Sequence, residues 1–211
     1  MFTFLIFLSS CAGYRFQNKS NPFAQYGIKS ISVPMFHNKS NFAEVSGAFT
    51  REIFKTLLEF NELKLSKSPA QADAVLVGII ESRSKRRESI VNINSKRAES
   101  TFGEGTLGAS REDFFVPSVN QMQLTLRIIV IKHPTEADIK FFQNKMSQNM
   151  LSSRVIFNEN IPLSRNYLLK ELSGDGIKVL GSQNRGVERQ QIQILAQSAA
   201  NSFKDMILYA F

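Results

Sequence analysis

The chain has 211 residues, a length that fits one domain. Its apolar fraction of 43% supports a packed core and excludes a disordered polar chain. The net charge of +8 favours anionic partners such as nucleic acid, anionic lipid or an acidic protein surface, and says nothing about fold. With one cysteine, Cys11, neither an intrachain disulfide nor a Cys-based metal site can form.

Phe2 to Leu8 form an apolar run interrupted only by Thr3. It is far shorter than the ~20 residues that span a bilayer. Small residues follow, then the cysteine, and the order reads as a secretory signal with its cleavage site. Leu8-Ser9-Ser10-Cys11 resembles the lipobox of bacterial lipoproteins. The resemblance implies cleavage before Cys11, acylation there, and outer-membrane sorting, since Ala12 and not Asp follows. No Lys or Arg precedes the apolar run, which a start codon upstream of Met1 would explain. The bland alternative is a buried N-terminal strand with an inert thiol. Residues 1–10 are therefore expected to be a signal peptide, 11–26 a lipidated tether, and 27–211 one domain.

Gly27 to Pro34 reads as a first strand, ended or placed at an edge by Pro34. Asn41 and Glu44 have capping-box spacing, and Val45, Phe49, Ile53, Leu57 and Phe60 then mark one face of a helix. Leu63 to Ala72 connect onward. Asp73 to Ile80 is a nearly continuous apolar run of strand length, so a parallel βαβ unit is expected. Glu81 to Pro117 is long and polar, either an extended ribbon or a loop. Met122 to Val130 alternates apolar and polar residues as a third strand. Lys140 to Met150 is predicted as a fourth strand, antiparallel to the third, and residues 152–184 are mixed. From Arg185 a helical pattern carries Ile192, Leu195, Ala199, Phe203, Met206 and Ile207 on one face. The expected fold is α+β: two helices on a four-stranded mixed sheet, in the order β-α-β-β-β-α.

Chemistry-bearing patterns are sparse. His37 and His133 are far apart and no metal-ligand spacing occurs, so no metal or cofactor is expected. Gly103 to Gly108 matches G-x-G-x-x-G but lacks a strand before it and a periodic helix after it, so it reads as a loop. Glu112 and Asp113 read as a solvated turn. Nothing assembles a nucleophile with a base, and the chain is expected to bind rather than to catalyse. Arg83, Lys85, Arg86 and Arg87 cluster after the second strand, with Lys96 and Arg97 beyond. On a continuing strand Arg83, Lys85 and Arg87 would share a face and could grip a phosphorylated glycolipid or an anionic membrane. The alternative is a solvated basic loop. No Phe or Tyr lies between Arg83 and Arg97, which argues against single-stranded nucleic acid.

Cys11-Ala12-Gly13-Tyr14-Arg15-Phe16 resembles the Cys-Gly-Tyr-Arg-Phe opening of lipopolysaccharide-assembly lipoproteins of the LptE type, with Ala12 as an extra residue. Ile31 to Asn38 is similar to that family's first strand and its V-P-x-F-x-N end. Phe49-Thr50-Arg51-Glu52 sits where the family's first helix runs. Ala72 to Gly78 looks like its A-D-x-x-L-x-G strand. The resemblance implies a non-enzymatic, periplasm-facing outer-membrane lipoprotein that plugs a large β-barrel and helps deliver lipopolysaccharide to the outer leaflet. Its partners would be that barrel, lipopolysaccharide and the membrane, with no nucleic acid. The alternatives are a general periplasm-facing scaffold for another envelope protein or peptidoglycan, and a cytosolic nucleic-acid binder.

Overall fold

The computed structural model describes residues 20–82, 90–99, 113–144, 153–172, 178–179 and 181–210. The protein is a mixed α+β fold in which parallel and antiparallel strands share one sheet, as expected. Packing begins inside the stretch expected as tether: Asn21 and Phe23 are buried, and Asn21 donates to the Ile28 carbonyl at 2.6 Å.

Strand β1 (Ser30–Ser32) stops just before Pro34, and a two-residue strand β2 (His37–Asn38) follows. Helix α1 (Val45–Leu58) buries Val45, Phe49, Ile53 and Leu57, the face that the spacing marks. The expected Asn41–Glu44 capping box is not formed. Glu44 is itself the N-cap and makes no side-chain cap bond. Asn38 shapes the approach instead: its Oδ1 accepts from the Ser40 amide at 2.8 Å and the Ser40 hydroxyl at 2.7 Å. Strands β3 (Lys64–Ser66) and β4 (Ala74–Ser82) both pair parallel to β1, which confirms the βαβ unit and adds a strand in the connector.

The sheet is organised on β6 (Asp113–Lys132), 20 residues long. One edge of β6 pairs antiparallel with β4 along residues 124–132, and with β5 (Ile90–Glu99) along 113–122. The other edge carries β7 (Val155–Leu168), also antiparallel. In the polar stretch from Glu81 to Pro117, the described residues 81–82, 90–99 and 113–117 are strand, as the ribbon alternative expects. The antiparallel partner on this edge of β6 is β7; of the strand expected over Lys140–Met150, residues 140–144 belong to α2 (Glu136–Asn144) instead and 145–150 lie outside the described residues. A capping box explains the helix. The Thr135 amide and hydroxyl donate to Asp138 Oδ2 at 2.9 and 2.8 Å, and the Asp138 amide donates back to Thr135 Oγ1 at 3.2 Å. A small hairpin, β8 (Glu171–Leu172) and β9 (Lys178–Val179), precedes α3 (Gly181–Ala210).

Alternation sorts the sheet residues onto two faces. Ala74, Leu76 and Ile80 of β4 and Met122, Leu124, Leu126, Ile128 and Val130 of β6 join α1 and α3 in the main core. The two helices run parallel, because Glu44 meets Arg189 at 2.7 Å and Glu59 meets Lys204 at 2.6 Å. Between these pairs Glu52 accepts from Lys55 at 3.0 Å and Gln193 at 2.8 Å. Burial opposes ionisation of Glu52, yet the bonds from Lys55 and Gln193 outweigh it and hold its pKa below the ordinary 4.5.

Two contacts bind this half of the fold together. The Phe36 ring occupies the space over Gly78 where a side chain would stand, and a Cβ there would lie 2.4 Å from the ring carbons. The Phe36 amide donates to Thr50 Oγ1 of α1 at 3.0 Å, so the same residue ties sheet to helix. At the start of β4, Asp73 Oδ2 accepts from the amides of Lys29 and Ser30 at 2.9 and 2.8 Å and from the Ser30 hydroxyl at 2.9 Å. The bond from the Lys29 amide, then that from the Ser30 hydroxyl, lowers the Asp73 pKa below its ordinary 3.8.

Overpacking of this kind costs about 1–3 kcal/mol. Gly78→Ala is expected to lose that much in urea denaturation, and Phe36→Leu in the same chain to restore part of it. Asp73→Asn removes hydrogen bonds to a charged acceptor, each worth about 1.5–3 kcal/mol at most. Because the folded pKa is lowered, the Asp73 contribution is full above about pH 4 and is lost as pH falls through the folded value. The stability gap between wild type and Asp73→Asn should therefore narrow on acidification. A gap that is constant or widens toward low pH contradicts this account.

Candidate binding face

The side of the sheet away from α1 and α3 divides into two parts. Near α2 it is apolar: Val75, Val77, Ile79, Ile129 and Ile131 pack together, with Ile139 of α2 and Val155 against them. Beyond Ile129 it turns polar. Register and alternation place Gln121, Gln123, Thr125 and Arg127 of β6 on this face, opposite Asn166, Ser164, Pro162 and Asn160 of β7. Asn158, opposite Ile129, lies beside them, and Glu81 of β4, opposite Thr125, borders the area.

Arg127 is the fixed cation of this face. It is 7% exposed, and its Nε donates to Asn158 Oδ1 at 3.0 Å. The planar fork of a buried guanidinium needs acceptors in set directions, and the Asn158 oxygen supplies one. Among the described residues, Glu81 Oε1 is buried with no hydrogen-bond partner. Such an oxygen is a position where a donor on a partner would be gained at little further desolvation cost. Gln123 donates to Gln121 along the same strand. The face therefore offers amide and hydroxyl donors and acceptors around one immobilised positive charge, which is chemistry for recognition.

The basic cluster Arg83, Lys85, Arg86 and Arg87 lies outside the described residues, as do Cys11, the glycine-rich 103–108 segment and Glu112. The ends of the basic segment are placed. Ser82 pairs with Leu124 and Ile90 with Met122, so the chain leaves and rejoins the same edge of β6 at positions that flank Gln123. Arg97 and Lys96 continue on β5 opposite Phe115 and Val116. His37 pairs with Ile79, whereas the His133 amide donates to the Asp73 carbonyl at the other end of β4, so the two histidines are kept apart. Among the described residues no group of three or more His, Cys, Asp or Glu side chains is arranged to hold a metal.

Glu81, Arg127 and Asn158 were not singled out by sequence. For Arg127 the signal was present, as the polar member of the alternation Gln123, Thr125, Arg127. For Asn158 it was masked, because Glu159 and Arg165 occupy helix-side positions of β7 and break its period. Arg165 serves there by donating to Gln191 of α3 at 2.6 Å.

Comparison with known proteins adds likeness without a family. No family model matches the sequence, and no curated protein does. Among solved structures, the hypothetical protein CT253 of Chlamydia trachomatis is 13% identical with a TM-score of 0.41, over 87% of this chain and 98% of that one. Rare lipoprotein B of Shewanella oneidensis is 13% identical with a TM-score of 0.38, over 86% and 92%. A lipoprotein B of Nitrosomonas europaea is 8% identical with a TM-score of 0.40, over 90% and 85%.

Arg127→Met should cost about 1–3 kcal/mol, because it strands the Asn158 carboxamide in a partly buried site. Arg127→Met with Asn158→Leu should cost less than Arg127→Met alone. Chemical denaturation of the two variants decides; equal or greater loss in the double variant refutes the pairing.

Proposed function

We propose that this protein is an outer-membrane lipoprotein, cleaved before Cys11 and acylated there, that faces the periplasm and acts without catalysis. In this reading it plugs and stabilises a large β-barrel that inserts lipopolysaccharide, and helps pass lipopolysaccharide to the outer leaflet. The observation that carries the reading is spatial. Three of the stretches that resemble the lipopolysaccharide-assembly lipoproteins meet in one module, with Phe36 over Gly78 and its amide bonded to Thr50; the Cys11–Phe16 stretch lies outside the described residues. Short matches scattered by chance have no reason to touch. Gly78 also has a physical need at its position, since only glycine leaves room for the Phe36 ring.

The basic residues Arg83, Lys85, Arg86 and Arg87 would meet the phosphates of lipopolysaccharide, because several convergent cations bind phosphate through charge-assisted hydrogen bonds. Because Ser82 and Ile90 flank Gln123 of the polar face, sugar hydroxyls of the same ligand would reach the amides of β6 and β7. Among the described residues no helix is long and apolar enough to cross a membrane, so membrane attachment in this reading falls to the acyl chains.

The test is biochemical. Metabolic labelling with a fatty acid should mark the wild type and leave Cys11→Ala unmarked. Gentle detergent extraction should recover the labelled chain with a large outer-membrane barrel. A labelled chain that is recovered alone would defeat the plug while sparing the anchor, and a bare thiol at Cys11 would defeat both.

A further inference from the structure

The polar part of the sheet face is nearly balanced in charge. Between Val119 and Ile131 of β6, and on the parts of β4 and β7 paired with it, alternation puts one cation on this side, Arg127, and one anion, Glu81. The chain as a whole carries +8, so the balance belongs to the face and not to the composition. A face for phosphate would collect cations and keep a carboxylate away.

Three rows cross it. Glu81, Thr125 and Pro162 stand opposite one another on β4, β6 and β7. Gln123 is opposite Ser164 on one side of that row, and Arg127 is opposite Asn160 on the other. Asn160, Pro162 and Ser164 are exposed, and Gln123 and Thr125 are half-buried. Rows on one face are about 7 Å apart along the strands, and neighbouring strands are about 4.8 Å apart. The central row carries the Pro162 ring and the Thr125 methyl group, which are apolar. The rows beside it carry amides and a hydroxyl. A sugar ring has the complementary pattern, with C–H groups across its face and hydroxyls around its rim. Side-chain amides suit hydroxyls because each carries both donors and an acceptor.

Pro162 also argues against a peptide strand at this border. The Leu169 amide donates to the Ser118 carbonyl, so alternate residues of β7 bond to β6, and Pro162 falls among those whose nitrogen faces away. Having no N–H, it interrupts the free edge of β7 where a further strand would pair.

Glu81 supplies the selectivity. Among the described residues its Oε1 has no hydrogen-bond partner, although Arg127 is a diagonal neighbour on the same face. A carboxylate left without a donor gains from a hydroxyl and is repelled by phosphate. We propose that this face binds an uncharged saccharide, seated on Pro162 and Thr125 between the two flanking rows, and that Glu81 accepts one of its hydroxyls and turns phosphate away. The inference deepens the lipopolysaccharide reading and rests on it for the source of the saccharide: the sugars lie on the face and the phosphates outside it.

The probe is the oligosaccharide of the cell's own lipopolysaccharide, stripped of acyl chains and phosphate. Full-length isotope-labelled protein is held in detergent micelles, and the side-chain amide resonances of Gln123 and Asn160 are followed as the probe is added. Both should move. Glu81→Gln should weaken binding roughly tenfold, the worth of one hydrogen bond to a charged group. Because Glu81 Oε1 holds no bond in the fold, that variant should keep the wild-type stability. Gln123→Ala, read on Asn160, should weaken binding as well. Inorganic phosphate should move neither resonance in the wild type. Resonances that stay still with the oligosaccharide, that respond equally in Glu81→Gln, or that move with inorganic phosphate alone each overturn the proposal. If intact lipopolysaccharide still binds in such a case, the lipopolysaccharide reading survives it. If intact lipopolysaccharide also fails to bind and no barrel is recovered with the chain, both fall.

Discussion

An aromatic ring seated on a backbone that has no side chain fixes the first half of this molecule. Phe36 occupies the space over Gly78, so the ring meets the strand at a distance no other residue would permit. Its amide is bonded to Thr50, so the position of the ring also sets the position of α1. Asp73 supplies the matching constraint at the other end of β4 by taking three hydrogen bonds from Lys29 and Ser30. Between these two points β1, β2 and β4 have one register, and the hydrophobic face of α1 has one place to go.

Periodicity made the long elements legible. The four-and-three spacing from Val45 to Leu57, the apolar run of β4, the alternation of β6 and the face of α3 all rest on burial, which period alone can express. The elements that escaped were decided by other forces. Helix α2 depends on reciprocal bonds between Thr135 and Asp138, which compete with an ambiguous pattern downstream. Strand β7 hides its period because Arg165 faces α3 as a hydrogen-bond donor rather than as an apolar side chain. Strands as short as β2 and β3 are held by their neighbours and have no signature of their own.

The candidate face was less legible than the fold, for a physical reason. Arg127 reads in sequence as one more polar residue on a half-exposed strand. Only the pairing of β6 with β7 brings it to Asn158 and buries it. The motif residues show the reverse case. They stand out in sequence as candidates for function, and in the structure Phe36, Asn38, Asp73 and Gly78 are all occupied in holding strands and helix together. Residues at such positions report on how this module is held together and not on what it binds.

The junction of β4 and β5 has a consequence for how the chain could vary there. Ser82 and Ile90 hold neighbouring ladder positions on β6, so the ladder is nearly continuous whatever the seven intervening residues are. Closing a loop between two fixed ends costs only about 0.6 kcal/mol more for each doubling in its length. The ladder of β6 therefore tolerates a change in the length or charge of the connection from Ser82 to Ile90 at little cost in folding free energy.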